Sequence, residues 1–510
     1  MSKKAKSRLK KLLIGSSLVF VGNLVGVGAS LAMRVVAANH LGPTNYGLIV
    51  LGWSIINPLA VLILLGFPAA LGQRLPRVDN ESNLFIETAL ISISLSIVVT
   101  AFLILYSESV VDIMNNPGFD RVFEGFVIVL PFLVGVRLIV GGFRGMEDAT
   151  GRLVVQNFGL QGLTAILVIA AVIAGLPPLG LAIAWTGAIA LTAIGGLAFL
   201  HRRTGIPDLG HFRPFSDLNR TYSLLRFSIP LVLSSGVILM LRYGDNVLLG
   251  YYTSSEAVGV YDTAYTLGRM LTLVIGAFKF LFVPMFSDLH NQDNPDEMGQ
   301  LYRTVTKWIV FATTPVFLTF FLFPEFSLKF VFNESFTTGA LPLMVLSTGF
   351  FIHSTMGLNA GALVAMGQSK LVLLGNVIAL VGNVVLNIAL IPQLGIIGAA
   401  VASVVAYIIM NAFYHYFLGI YGRLNPFPTS ILAPLSISAT LFAIPSTIIK
   451  TFLTPTLPII VLLVLVFLLF YTVIILRWGI DARDKEIILT IFDNSPIPNK
   501  FVQGVFDRFC

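Results

Sequence analysis

A single cysteine, Cys510, closes the 510-residue chain. That excludes an internal disulfide and a thiolate metal cluster, and a cysteine in the final position forms no C-a-a-X prenylation box. Charge is scarce as well: Asp, Glu, Lys and Arg make up 11% of the residues, against roughly a quarter in soluble domains. The chain carries no Walker loop, no H-E-x-x-H, no cluster of metal ligands and no repeated membrane acid. Nothing therefore points to an enzyme, an ATP motor or a proton pump, and we expect no metal and no cofactor. Short alternating segments of the kind that build a transmembrane β-barrel are missing too, because the apolar runs are long and continuous.

What the chain has in abundance is apolar residue: 56% of the total, with a mean hydropathy of +0.89. This composition predicts an all-α polytopic membrane protein. Apolar runs at 12–39, 46–71, 84–106, 121–143, 152–174 and 179–200 form a first set of six. A polar linker follows, and then 222–250, 257–287, 304–323, 338–364, 371–391 and 396–419 form a second set. Two more, 429–448 and 457–476, bring the expected count to fourteen transmembrane helices. The organisation read from this is a basic N-terminus at 1–11, a six-helix lobe at 12–200, a linker at 201–221, a second six-helix lobe at 222–420, two additional helices within 421–477, and a tail at 478–510. The tail is expected to end in a short amphipathic helix.

The formal charge of +7 reads first as topology rather than as affinity for nucleic acid, and no nucleic-acid partner is expected. Lys3 through Lys11, Arg74, Arg77, Arg144, Arg152, Arg202 through Arg220, Arg303, Lys307, Lys370, Arg423 and Arg477 through Arg508 fall on one side of the alternation. The opposite loops hold only Arg121, Lys329 and Lys450. An even number of spans puts both termini on one side, and by the positive-inside rule that side is expected to be the cytoplasm.

The first apolar run contains Arg34. At about 100° per residue, Ser16, Asn23, Ser30 and Arg34 fall within roughly a 40° arc, one polar stripe on an apolar helix. An arginine facing lipid near the bilayer centre costs at least about 2.5–3.5 kcal/mol, so this stripe should face water or another helix. Adding 212 to first-set positions carries Ser16 to Ser228, Asn23 to Ser235, Ser30 to Arg242, Arg34 to Asn246, Gly47 to Gly259 and Asn57 to Arg269. LPPLG at 176–180 likewise matches IPQLG at 391–395. Both sets start from the same side, so the repeat is parallel, and it predicts two lobes facing one another across a cleft.

Arg34, Arg137, Arg242 and Arg269 are the cations expected to line that cleft and hold an anionic group such as a phosphate, with Asn23 beside them on the stripe. Asp262 shares a helix face with Arg269, and Asp245 lies three residues from Arg242, so some of these charges are equally readable as structural ion pairs. The two acids are also the candidate sites of ion coupling. Asn376, Asn383 and Asn387, and Asn157 with Gln161, read mainly as hydrogen bonds between helices. Gly22 with Gly26 reads as a site of close packing, and His353 as a buried histidine with a partner.

Arg34 followed by VVAANHLGPTNYG, the L-G-x-x-x-Y-G pattern at 41–47, FRGMEDATGRL at 143–153 and the layout of two six-helix sets plus a final pair resemble the polysaccharide flippases. These belong to the multidrug, oligosaccharidyl-lipid and polysaccharide exporter superfamily. The resemblance implies a lipid-linked oligosaccharide on a polyprenyl or dolichyl carrier, turned from the cytoplasmic to the outer face of the cell membrane. It also implies membrane lipids as surroundings, and glycosyltransferases or an oligosaccharyltransferase as functional neighbours. The alternatives weighed are an ion-coupled multidrug/cation antiporter of the same fold, which would want a buried acid in the first lobe, and a membrane glycosyltransferase, which would want catalytic acids or a large outer loop.

Overall fold

The computed structural model describes residues 3–78, 80–208, 210, 218–422, 432–452, 457–480 and 484. The expected amphipathic helix of the tail lies outside them. No strand occurs among the described residues, and helix lies on all fourteen expected spans. Among the described residues nine helices are by themselves long and apolar enough to cross a membrane, or up to eleven if each sharply bent pair is one span. Outward faces are apolar, as lipid demands: Val98, Ile166, Ile173, Leu462 and Leu469 are exposed.

The first helix, α1 (Lys3–Ile63), carries the first expected span and most of the second as one helix broken at Gly42. There φ is 71°, a left-handed value open to glycine, and Pro43 follows, removing an amide donor from the ladder. After α2 (Phe67–Arg74) come α3 (Glu81–Leu105), α4 (Ser107–Met114), α5 (Phe119–Val127) and α6 (Leu130–Gly145). The α5–α6 pair bends by 41° just before Pro131, where proline ends one ladder and starts the next. Helix α7 (Ala149–Leu153) runs through a π-helical stretch, Val154–Leu163, into α8 (Thr164–Ile173), and α9 (Pro178–Thr204) completes the first set.

The second set comprises α10 (Leu218–Tyr252), α11 (Ser255–Arg269), α12 (Thr272–Asn291), α13 (Pro295–Leu322), α14 (Pro324–Val331), α15 (Ala340–Met356), α16 (Leu358–Ala365), α17 (Ser369–Leu394) and α18 (Ile396–Gly422). Helices α19 (Leu432–Phe452) and α20 (Leu457–Ile474) follow.

Two compact units emerge. The first is Met1–Thr263 with Lys329–Thr338 and Asn383–Ala399; the second is Ala264–Leu328 with Gly339–Gly382 and Ala400–Cys510. Within the first, α1 packs on α10, α5 and α8. Gly22 and Gly26 admit the π-helical segment: a Cβ on Gly26 would stand 2.0 Å from Gln161 Oε1, and Asn157 Nδ2 donates to Gly22 O at 2.9 Å and to Asn23 Oδ1 at 3.0 Å. The expected helix-to-helix role of Asn157 is what the structure shows.

Backbone of α1 also meets backbone of α11 within this unit. A Cβ on Gly47 would lie 1.7 Å from Ser255 O and 2.9 Å from Gly259 N. A Cβ on Gly259 would lie 2.1 Å from Pro43 O and 3.1 Å from Gly47 N. The offset of 212 relates 47 to 259 and 43 to 255, so each glycine meets the counterpart of what the other meets. Backbone lies on backbone here, and no side chain fits between.

In the second unit, Leu318, Phe323, Phe442, Ile460, Phe467 and Tyr471 form one buried cluster, and Tyr471 Oη donates to Phe311 O at 2.7 Å. This cluster fixes α19 and α20 to α13. A buried ion pair between Lys307 and Asp484, with Trp308 Nε1 donating to the same carboxylate at 3.2 Å, adds a polar tie.

Candidate functional site

Three of the four arginines expected in the cleft, Arg34, Arg137 and Arg242, lie in the first unit together with Asp262. Arg34 lies a little over two turns before the Gly42 break, and Tyr46 follows one turn after it. Arg34 Nη1 donates to Asp262 Oδ2 at 2.5 Å, and Tyr46 Oη donates to the same oxygen at 2.7 Å. The side chains of Arg34 and Asp262 are 18% and 6% exposed. One carboxylate oxygen thus takes two donors, which is what makes burial of both charges tolerable. Same-helix spacing suggests Arg269 for Asp262, but the structure gives that acid to Arg34, 228 residues away.

Beside this pair lies a cavity of about 20 Å³ lined by Arg34, Tyr46, Trp53, Trp185, Tyr243 and Asp262 among others, room for about one water. Trp53 and Trp185 stand 4.9 Å apart on its wall. Tyr243 accepts from Asn57 Nδ2 at 3.1 Å, and Asn57 Oδ1 in turn accepts from Arg137 Nη2. Arg242 lies with its guanidinium carbon 5.1 Å from the Tyr243 ring centroid, in cation–π contact. A polar chain therefore runs from Arg137 through Asn57 and Tyr243 to the cavity that Arg34 and Asp262 line.

Arg137 differs from Arg34 in one respect. No carboxylate lies within ion-pair distance of it among the described residues, and its Nη1, buried from solvent, has no hydrogen-bond partner. An arginine carries five donors in a planar fork, and here the interior answers only part of that fork.

The two candidate coupling acids are held differently. Asp262 is paired with Arg34 as above. Asp245 is buried and accepts from Tyr261 Oη at 2.5 Å, Asn387 Nδ2 at 2.7 Å and Asn383 Nδ2 at 3.1 Å. Asn376 accepts from Tyr414 Oη at 2.9 Å in the second unit. Arg269 also belongs to that unit, partly buried at the end of α11. His353 Nδ1 lies 3.0 Å from Asn411 Nδ2, a half-buried histidine with a partner.

Tyr46, Trp53, Trp185 and Tyr243 join the site from outside the expected set. Tyr46 has a sequence signal, since it is the tyrosine of the L-G-x-x-x-Y-G pattern. Each part of that pattern has its place in the structure, for Gly42 breaks the helix, Tyr46 holds Asp262, and Gly47 admits α11.

The fold is that of a class of membrane transporters. It superposes on the lipid II flippase MurJ in an inward closed conformation with a TM-score of 0.72 at 13% identity, covering 90% of this chain and 99% of that one. It also resembles an inward-facing multidrug resistance MATE family transporter of the MOP superfamily, with a TM-score of 0.63 at 15% identity over 78% of this chain and 95% of that one. The sequence narrows the class. Residues 12–290 match the family described as "Polysaccharide biosynthesis protein", and this chain belongs to that family. Two relatives from Haloferax volcanii are the "Probable low-salt glycan biosynthesis flippase Agl15", 21% identical over 404 residues, and the "Probable flippase AglR", 23% identical over 418. The matches cover 78% of this chain in each case, and 82% and 81% of the relatives.

Proposed function

We propose that this protein is a flippase that moves a lipid-linked oligosaccharide, carried on a polyprenyl or dolichyl phosphate or diphosphate, from the cytoplasmic to the outer face of the cell membrane. The observation that carries this reading is Arg137, a cation inside a membrane protein with no carboxylate partner among the described residues and a donor left open. In an apolar interior such a group is costly unless an anion completes it, and a phosphate ester accepts bidentate from a guanidinium. Arg242, at the other end of the Asn57–Tyr243 chain, supplies further positive charge, and Arg34 beside it is paired with Asp262. We keep Arg269 and Asn23 as additional headgroup contacts, the latter now held by Asn157.

The physical need is plain: a phosphorylated, polyhydroxylated head cannot cross hydrocarbon without losing the water on every polar group. A polar interior path lowers that barrier while the lipid tail stays in the bilayer. The names of the relatives support the reading, as does membership of the polysaccharide biosynthesis family. Both termini would be cytoplasmic, and glycosyltransferases or an oligosaccharyltransferase would act before or after the transfer. A drug/cation antiporter fits less well, since the acid at this site, Asp262, is already neutralised by Arg34. For ion coupling we favour Asp245, which Tyr261, Asn383 and Asn387 surround with oxygen and amide groups.

The test is a strain lacking the protein. Its lipid-linked glycan should accumulate on the cytoplasmic leaflet and surface glycosylation should fall, and restoring the wild-type gene but not Arg137→Met should reverse both. Unchanged glycosylation with no accumulation overturns the proposal.

A further inference from the structure

The Arg34–Asp262 pair does not leave an anion site open; it fills one. Asp262 Oδ2 takes the guanidinium of Arg34 at 2.5 Å and the hydroxyl of Tyr46 at 2.7 Å. These are the donor types that a phosphate oxygen takes, because carboxylate and phosphate are both multiply accepting anions recognised by the same fork. The adjoining cavity has about 20 Å³ of free space, which suits a water and not a phosphate group. An incoming phosphate therefore gains Arg34 and Tyr46 only if the carboxylate leaves.

We propose that Asp262 is an internal anion that occupies the phosphate site until substrate arrives, so that loading is an exchange of one anion for another on Arg34 and Tyr46. The inference rests on the flippase reading and adds to it a residue that sets selectivity and timing. Selectivity follows from competition: a lipid whose head carries no anion cannot displace Asp262, and a phosphate, with more acceptor oxygens and more charge than a carboxylate, can. Timing follows from position. Asp262 lies one helical turn beyond Gly259 on α11, and Gly259 is held backbone to backbone against Pro43 and Gly47 of α1. Withdrawing the carboxylate moves a helix that has no slack where it meets α1, so loading the phosphate and loosening that contact become one event.

The test uses the full chain in nanodiscs and a polyprenyl monophosphate as probe, with the corresponding polyprenol as the uncharged control. Asp262→Asn, close in shape and without the charge, should bind the polyprenyl monophosphate at least about tenfold more tightly than wild type. Asp262→Glu, which keeps the charge, should stay within about threefold of wild type. The double variant Arg34→Gln with Asp262→Asn should lose the gain, and polyprenol binding should be the same in all. If wild type binds the probe and Asp262→Asn, folded by its size-exclusion profile in the nanodisc, binds it no more tightly, the exchange is overturned and the flippase reading stands. If neither wild type nor any variant prefers the phosphate to the alcohol, both fall.

Discussion

Arg34 and Arg137 sit in the same unit, on helices that lipid alone would not let them enter, and the interior treats them in opposite ways. Arg34 has a carboxylate and a shared tyrosine, while Arg137 has the amide oxygen of Asn57 and an open nitrogen. The first arrangement settles a charge and holds two helices together. The second leaves a charge in want of an anion, and the proposed transfer of a phosphorylated lipid has a use for both. In the proposed mechanism one is a site filled from within until substrate arrives, and the other a site that a ligand completes.

The comparison breaks most visibly at Asp262. Asp262→Ala strands the Arg34 charge and should lower stability by about 3–5 kcal/mol, read as a fall in the thermal transition of the purified protein. Replacing both members, Arg34→Met with Asp262→Leu, should recover most of that loss, because an apolar pair of similar volume is often no worse than a buried ion pair. A double variant as unstable as Asp262→Ala would mean that the pair is not a closed unit.

A smaller effect is expected at the glycine contact. Gly259→Ala places a methyl against Pro43 O and should cost about 1–3 kcal/mol, and by shifting α11 it should disturb Arg34 and leave Arg137 alone. Gly28→Ala, a helical position with open space around it, serves as control and should be neutral or up to about 1 kcal/mol stabilising. Crosslinking yields between cysteines placed on α1 and α11 would report the shift. Smallest of all is Arg137→Met. Since no ion pair is lost, stability should change by about 1 kcal/mol or less, yet the variant should fail to restore glycan transfer in the deletion strain. A loss of several kcal/mol at Arg137 would erase the distinction between the two arginines.

The helical architecture is legible in the sequence because its signal is one-dimensional. Twenty-residue apolar runs, the alternation of basic loops and a repeat offset of 212 are all properties of the chain read in order. Even the Gly42–Pro43 break shows as the boundary between two expected spans, although the structure carries the helix up to it on both sides. Arg34 and Arg137 are legible as buried charges for the same reason. What ordering along the chain cannot carry is the identity of partners. Spacing on one helix offers Arg269 to Asp262, whereas tertiary packing delivers Arg34 from 228 residues away. The roles of Tyr243 and of the Trp53–Trp185 wall likewise exist only once α1, α9 and α10 are side by side. Asn383 and Asn387 read as hydrogen-bonding residues, and nothing in their spacing names Asp245 as the acceptor.

The meeting of Gly47 with Gly259 has a meaning beyond close packing. Positions 47 and 259 are the pair that the sequence offset of 212 relates, and a contact between two such positions has the reciprocity of an isologous interface. Neither glycine can be enlarged without intruding on the backbone that carries the other, so the two positions are bound to change together.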